Sequence, residues 1–216
     1  IVAPCSGCYK NLRRASKAVA SDKAVRREVN DHLRDGLELS EDIEVLHPLY
    51  LLLERVGIDR IKEAVTHPLR GLSVAAYYGC MLTRPKDRFD SAERPTGLDR
   101  LIDALGATPV AYPMKAKCCG GALALSHGDV TARLGGNVLA SAKGRGADIV
   151  GLACPMCHMA LDSYQARAER VLRQTLDLPV LYFTQLMGLA FGLDRSRLGF
   201  DRHLVSPEAQ LVELGF

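Results

Sequence analysis

The chain carries part of itself twice, and that repeat limits its architecture more than any other feature. Ile1-Val2-Ala3-Pro4-Cys5-Ser6-Gly7-Cys8, followed by Leu12, matches Val150-Gly151-Leu152-Ala153-Cys154-Pro155-Met156-Cys157, followed by Leu161. In each copy a short apolar run feeds a CxxC pair that opens a helix. Further on, Val45-Leu46 to Gly57-Ile58-Asp59 aligns without a gap on Val180-Leu181 to Gly192-Leu193-Asp194. The second copy has Cys80 and Cys118-Cys119 ahead of its CxxC, while the sequence begins too late to show a counterpart in the first. By symmetry, about 70 or more residues are expected ahead of Ile1.

Apolar runs that read as strands alternate with helical stretches. Strands are expected at Ile1–Ala3, Asp42–Leu46, Leu72–Tyr78, Thr108–Tyr112, Asp148–Ala153 and Pro179–Phe183. Helices are expected over Tyr9–Ala20, Lys23–Leu33, Leu49–Val56, Ile61–Val65, Gly97–Leu105, Gly120–His127, Val130–Lys143, Met156–Gln174 and Thr184–Phe191. Met81–Thr96, with Pro85, Pro95 and many charges, reads as a surface loop, and the tail after Asp194 as mostly irregular. The alternation implies an α/β fold of Rossmann-like parallel sheets flanked by helices. In such sheets functional residues collect on loops at the C-terminal strand ends, and each cysteine group falls at or near one.

Composition excludes several classes. Apolar residues make up 48% and charged residues 25%, the signature of a globular chain and not a disordered one. The 28 basic residues exceed the 25 acidic ones by only +3 and are scattered, so a nucleic-acid footprint is not expected. The longest apolar run, Leu178–Leu193, is interrupted by Thr184 and Gln185 and is shorter than a span of roughly 20 residues, so no transmembrane segment is expected.

Seven cysteines, grouped as CxxC, single Cys, CC and CxxC, do not form a secreted disulfide framework. A reducing compartment, the cytoplasm, with metal-bound thiolates fits better. For Cys5 and Cys8 alone, structural zinc is as good a reading as any other. For the group Cys80, Cys118, Cys119, Cys154 and Cys157, zinc and an ordinary cubane each use only four ligands. Five thiols suit a larger or less regular cluster. Gly120 and Gly121 would let backbone approach such a bulky group. Free buried cysteines, or a Cys–His nucleophile with His158 or His127 as base, leave most of the thiols without a purpose. His127 and His158 read as hydrogen-bond partners. Lys117, Lys115, Arg84 and His158 lie beside the cysteines in sequence and could steer an anionic thiol, although several would be surface charges only.

Gly79-Cys80, Cys118-Cys119-Gly120 and Cys154-Pro155-Met156-Cys157 resemble the pattern of the CCG, or cysteine-rich, domain family. Within it, Tyr77-Tyr78-Gly79-Cys80, Lys117-Cys118-Cys119-Gly120-Gly121 and the end Leu193–Val205 resemble the B subunit of heterodisulfide reductase, in its bacterial branch. The resemblance covers the whole chain. It implies two pseudo-symmetric CCG halves: residues 1–66 as the closing part of a first and 67–216 as a complete second.

The same resemblance implies two noncubane [4Fe-4S] clusters facing a shared pocket. Cys80, Cys118, Cys119, Cys154 and Cys157 would ligate the complete one. Cys5 and Cys8 would close the other, where a different metal such as zinc is also possible. The implied reaction is reductive cleavage of a disulfide, or its reverse, on small thiols or a protein-bound sulfur carrier. Electrons would arrive through a C-like iron–sulfur subunit from an A-like flavoprotein. Two other readings stay open. One is a CCG electron-transfer subunit of another oxidoreductase, such as a glycolate or lactate oxidase or an atypical succinate dehydrogenase. The other is a zinc-stabilised interaction module.

Overall fold

A computed structural model describes residues 1–39, 43–84 and 90–216. Asp42, and residues 85–89 of the expected loop, lie outside the described residues. Four strands, β1 (Ser73–Tyr77), β2 (Thr108–Pro109), β3 (Ile149–Leu152) and β4 (Val180–Tyr182), form one sheet in the order β2-β1-β3-β4. Every pairing is parallel, with Val74 opposite Ile149 and Val150 opposite Val180. The first part of the chain contributes α1 (Ser6–Ser21), α2 (Lys23–His32), α3 (Pro48–Leu51) and α4 (Ile58–Glu63). The rest supplies α5 (Gly79–Thr83), α6 (Gly97–Ala104), α7 (Gly128–Lys143), α8 (Pro155–His158), α9 (Gln165–Leu172), α10 (Phe183–Ala190) and α11 (Glu208–Glu213). The α/β, Rossmann-like expectation holds.

The all-parallel sheet is buried on both faces, which is why β1 and β3 read as continuous apolar runs. Side chains alternate across it. Val74 and Ala76 join Leu98, Leu101, Ile102, Leu105 and Leu186 on one face, under α6 and α10. Ala75 and Tyr77 join Val138, Leu139, Leu161 and Val180 on the other, where α7 packs on α9. Each fully buried Leu or Ile contributes about 1.5–3 kcal/mol of transfer free energy. The segment before β1 adds Tyr9, Leu49, Tyr50 and Ile61 to the first core.

The repeat is visible in the backbone. Val2 forms a parallel bridge with Leu46, and aligning the copies places this pair on Gly151 and Leu181, which are partners in the β3–β4 ladder. Cys5 and Cys154 both stand as extended residues immediately ahead of a helix. Gly57 and Gly192 both take positive φ, 88° and 73°.

Several elements differ from expectation. Ile1–Ala3 and the described end of Asp42–Leu46 meet through that single bridge instead of forming strands. The Thr108–Tyr112 strand stops at Pro109, which has no N–H to give; Val110 donates once more to Val74 O (2.9 Å) before the chain turns away. The long helix Met156–Gln174 is broken. It begins at Pro155, widens into a π-turn over Met159–Ser163, resumes as α9 and stops at Arg173, whose φ is +55°. Leu49–Val56 is likewise α3 followed by a π-turn, Leu52–Val56, and the expected Ile61–Val65 piece starts earlier, at Ile58. Gly120–His127 contracts to a 3-10 turn, Gly121–Leu123, because Gly120 is left-handed (φ 78°) and cannot begin an α-helix. The expected loop Met81–Thr96 opens inside α5, and Asp90 takes the Thr96 and Gly97 N–H groups. The tail holds α11 and two 3-10 turns, Arg195–Arg197 and Phe200–Arg202.

Close approach of α7 seats the helix that follows the second CxxC. A Cβ at Gly135 would lie 2.8 Å from Ala160 O, inside the π-turn. Gly135→Ala is therefore expected to lower stability by about 1–3 kcal/mol, read as a drop in the urea midpoint at unchanged slope.

Candidate metal centre

Parallel strands bring their C-terminal ends to one edge, and that edge is where the cysteines emerge. β1 runs through Tyr78 into α5, which carries Cys80. β3 runs into Cys154 and α8, which carries Cys157. The Val2–Leu46 bridge delivers Cys5 and Cys8 to α1. Cys118 and Cys119 come from the loop after β2, which is pinned where Tyr78 N–H donates to Lys115 O (2.9 Å) and Tyr77 OH to Lys117 O (2.7 Å). Thr131 Oγ1 on α7 holds the far side through Gly120 O (2.9 Å).

All seven cysteines line one cavity of about 270 Å3, together with Ser6, Asn11, Tyr78, Met81, Gly121, Ala122 and Met156. Cys119, Cys154 and Cys157 are buried, Cys5 and Cys80 half-buried, Cys8 and Cys118 exposed. None is in a disulfide. Cys119 Sγ and Cys157 Sγ are 3.4 Å apart, beyond a disulfide bond of about 2.05 Å. That separation is within the ~4.6 Å that two metal–sulfur bonds of about 2.3 Å can span on one ion. Backbone N–H groups converge on the sulfurs: Gly120 on Cys118 and Gly121 on Cys119, each at 3.4 Å. A Cβ at Gly121 would meet Met156 O at 2.7 Å and Cys119 Sγ at 3.3 Å, so only glycine fits between the double cysteine and the CxxC. Clustered thiols, aimed N–H donors and a largely apolar wall fit a sulfur-ligated metal group.

The electrostatics distinguish the sulfurs. Cys154 is pulled down to about 4, first by the Cys157 thiol, against burial, and further by N–H groups of Cys157 and Ser6. Ser6 belongs to α1, so the N-terminus of the first copy's helix stabilises a thiolate of the second. The Ser6 hydroxyl, buried and with no nitrogen or oxygen partner among the described residues, faces the same sulfur. Cys119 falls to about 7, with the Cys157 thiol as main cause and the Gly121 N–H and Tyr77 assisting. Cys157 is pushed well up because it donates toward Cys119 and Cys154 and is buried. Burial also raises Cys5 and Cys80; Arg84 partly offsets this at Cys80.

The basic residues divide. Arg84 and Lys117 line an adjacent cleft of about 700 Å3 with Arg94, whereas Lys115 is committed to Asp99 (3.0 Å). His127 is exposed and pairs with Ser126, and among the described residues neither its ring nor that of His158 hydrogen-bonds a cysteine sulfur. His158, Asp162 and His203 bring ligand atoms within 4.8 Å of one another, a spacing that suits a cation. Their hydrogen bonds assign them elsewhere. Gln185 Oε1 accepts Tyr182 N–H and its Nε2 donates to Leu198 O, so the remaining N–H points at His203 Nε2 (2.9 Å). That fixes the proton of a neutral His203 on Nδ1, the atom that faces His158. Asp162 accepts the Leu204 and Val205 N–H groups, fastening the tail to the CxxC helix. Sequence reasoning gave no role to Ser6, Tyr77, His47 or Asp162. Two of them carried a signal, Ser6 as a polar residue inside a CxxC and Tyr77 as part of the motif ending in Cys80.

A cysteine-rich domain model, CCG, matches residues 74–162. The class that fold and site define is thus a cysteine-rich, CCG-domain protein. The chain is 32% identical over 210 residues to the B subunit of the ferredoxin/F(420)H(2)-dependent CoB-CoM heterodisulfide reductase of Methanosarcina acetivorans, covering 95% of this chain and 70% of that protein. It is 31% identical to the 8-methylmenaquinol:fumarate reductase membrane anchor subunit of Wolinella succinogenes, over 95% of this chain and 72% of that one. The chain belongs to the family of cysteine-rich proteins formed by the B subunits of heterodisulfide reductases. A hypothetical protein from Helicobacter pylori shares the fold at a TM-score of 0.70 and 15% identity, over 92% of this chain and 36% of that one. Family and cysteine set together point to an iron–sulfur cluster.

The Cys154 shift has a defined sign. Its folded value, about 4, lies below the ordinary thiol value of 9.0, so the thiolate adds stability above pH 9 that is lost as pH falls toward 4. Metal-free protein is expected to keep thiolate absorbance near 240 nm at pH 6, and Cys154→Ser to remove it.

Proposed function

We propose that the chain is the iron–sulfur subunit of a heterodisulfide-reductase-like complex. Cys80, Cys118, Cys119, Cys154 and Cys157 would hold a noncubane [4Fe-4S] cluster, and Cys5 and Cys8 would serve a second metal site, iron–sulfur or zinc. The observation that carries this reading is the convergence of all seven cysteines on one cavity. Five thiols in a single set exceed what one zinc ion uses. The bound cluster would supply electrons to sulfur. The net change is reduction of a disulfide by two electrons and two protons to two thiols, or the reverse.

The protein's own residues shape access. Met81, Ala122 and Met156 give the cavity an apolar wall that limits water, and Asn11 offers a polar contact. Arg84 and Lys117, in the neighbouring cleft, favour an anionic small thiol or a carboxylate-bearing sulfur carrier. We read residues 1–66 as the closing part of one CCG unit and 67–216 as a second, a division supported by the shared register of the two copies. Electron partners of this reading are an A-like flavoprotein and a C-like iron–sulfur subunit. Unpaired cysteines favour the cytoplasm. Among the described residues no helix is long and apolar enough to cross a membrane.

The likeness to a fumarate reductase component at almost the same identity favours one second reading, an electron-transfer CCG protein that never meets a disulfide.

Anaerobically purified protein is expected to contain iron and acid-labile sulfide, with Cys119→Ser and Cys157→Ser abolishing the visible spectrum and Cys8→Ser leaving the spectrum of the five-cysteine set. Dithionite should bleach it and a small disulfide restore it. Zinc without sulfide overturns the proposal, and recovery with other oxidants but no disulfide transfers it to the second reading.

A further inference from the structure

His47 is fully buried, yet it is joined to both CxxC loops. Its Nε2 lies 3.2 Å from Pro4 O and 3.0 Å from Ala153 O, the carbonyls immediately ahead of Cys5 and Cys154. Two acceptors facing one nitrogen require that nitrogen to carry the proton. Nδ1 is then the acceptor, and it takes the Leu49 N–H at 3.2 Å as the cap of α3. The ring packs edge-on against Tyr9 and Tyr50, each centroid 6.0 Å away and the two tyrosine centroids 5.7 Å from each other. Aligning the two copies sets Tyr182 at the place of His47. Among the described residues Tyr182 makes no such bridge; it stacks on His158. The crossing link is therefore built from one side only.

We propose that His47 is a positioning residue that locks the two CxxC loops to each other, so that the cysteines of both copies reach the shared cavity in one fixed relation. This rests on the reading of those cysteines as metal ligands. Both carbonyls end a stretch of parallel pairing, where the ladder no longer supplies donors, and a buried carbonyl left without a partner is costly. A single N–H satisfies both and ties them. Ser6, the next residue after Cys5, then stands where its N–H meets the Cys154 sulfur. If the first loop shifts, that bond is lost.

Two variants separate the bridge from the cap. His47→Asn keeps a short acceptor for Leu49 N–H but cannot reach the carbonyls; His47→Gln reaches the carbonyls with an amide N–H but places no acceptor at the cap. Amide hydrogen exchange on metal-free full-chain protein should be about tenfold faster at Ala3, Ser6 and Cys157 in His47→Asn. It should stay near wild type there in His47→Gln, with β1 amides unchanged in both. After anaerobic reconstitution, the electron paramagnetic resonance of the five-cysteine set should broaden in His47→Asn only. The proposal falls if the two variants match each other, or if faster exchange spreads to β1. Should wild-type protein take up no iron and sulfide, the functional reading fails while the exchange comparison still decides the role of His47.

Discussion

Everything at the cysteine edge depends on the strands running the same way. In a parallel ladder every strand ends at one side, so β1 and β3, paired from Val74–Ile149 to Tyr77–Leu152, release Cys80 and Cys154 as neighbours. The bridge of Val2 with Leu46 adds Cys5 to the same side. The direction is enforced by burial. Strands covered on both faces need crossover helices, and α6, α7 and the helix after Cys157 supply them while hiding the apolar surface. A single antiparallel pairing would send one cysteine group to the opposite end, about the length of a strand away.

Collecting thiols at one place creates an electrostatic difficulty, which is met mainly by donors, with Arg84 as the cation that helps at Cys80. Like charges on several sulfurs repel, so Cys157, buried beside Cys119 and Cys154, is pushed up toward its protonated form. The N–H groups of Gly120, Gly121 and Ser6 converge on the sulfurs of Cys118, Cys119 and Cys154. The other cationic side chains stand back, in a separate cleft or paired with Asp99. A site built of donors at fixed distances favours a permanently bound sulfur-ligated group over a loosely held ion.

The sequence was legible where periodicity and motif agreed. β1, β3 and β4 carry runs long enough to read, and the repeat correctly placed both CxxC pairs at helix starts. What was not legible depended on contacts distant in sequence. The π-turn over Met159–Ser163 follows from Tyr164 reaching back to Ala124 O (2.8 Å) and from the near-contact of Gly135, neither visible in a helical pattern. Gly120–His127 looks helical by composition, but the left-handed turn that the double cysteine needs removes its first turn. His47 was not legible as a site residue, because its partner Ala153 lies 106 residues away. The CxxC and CC pairs were readable because their spacing is local, while the meeting of all seven cysteines in one cavity required the fold.

The tail fastened by Asp162 has a historical implication. Cys157 and His158 end α8 and Asp162 lies in the π-turn that follows, and His203, Leu204 and Val205 answer to His158 and Asp162. Drift in the tail is therefore restrained by chemistry that lies far upstream in the chain. The tail answers Asp162 with backbone N–H groups at 204 and 205, which any side chain but proline supplies, so it is the upstream carboxylate, and not those tail side chains, that lineages descended from this chain must keep for the tail to stay in place.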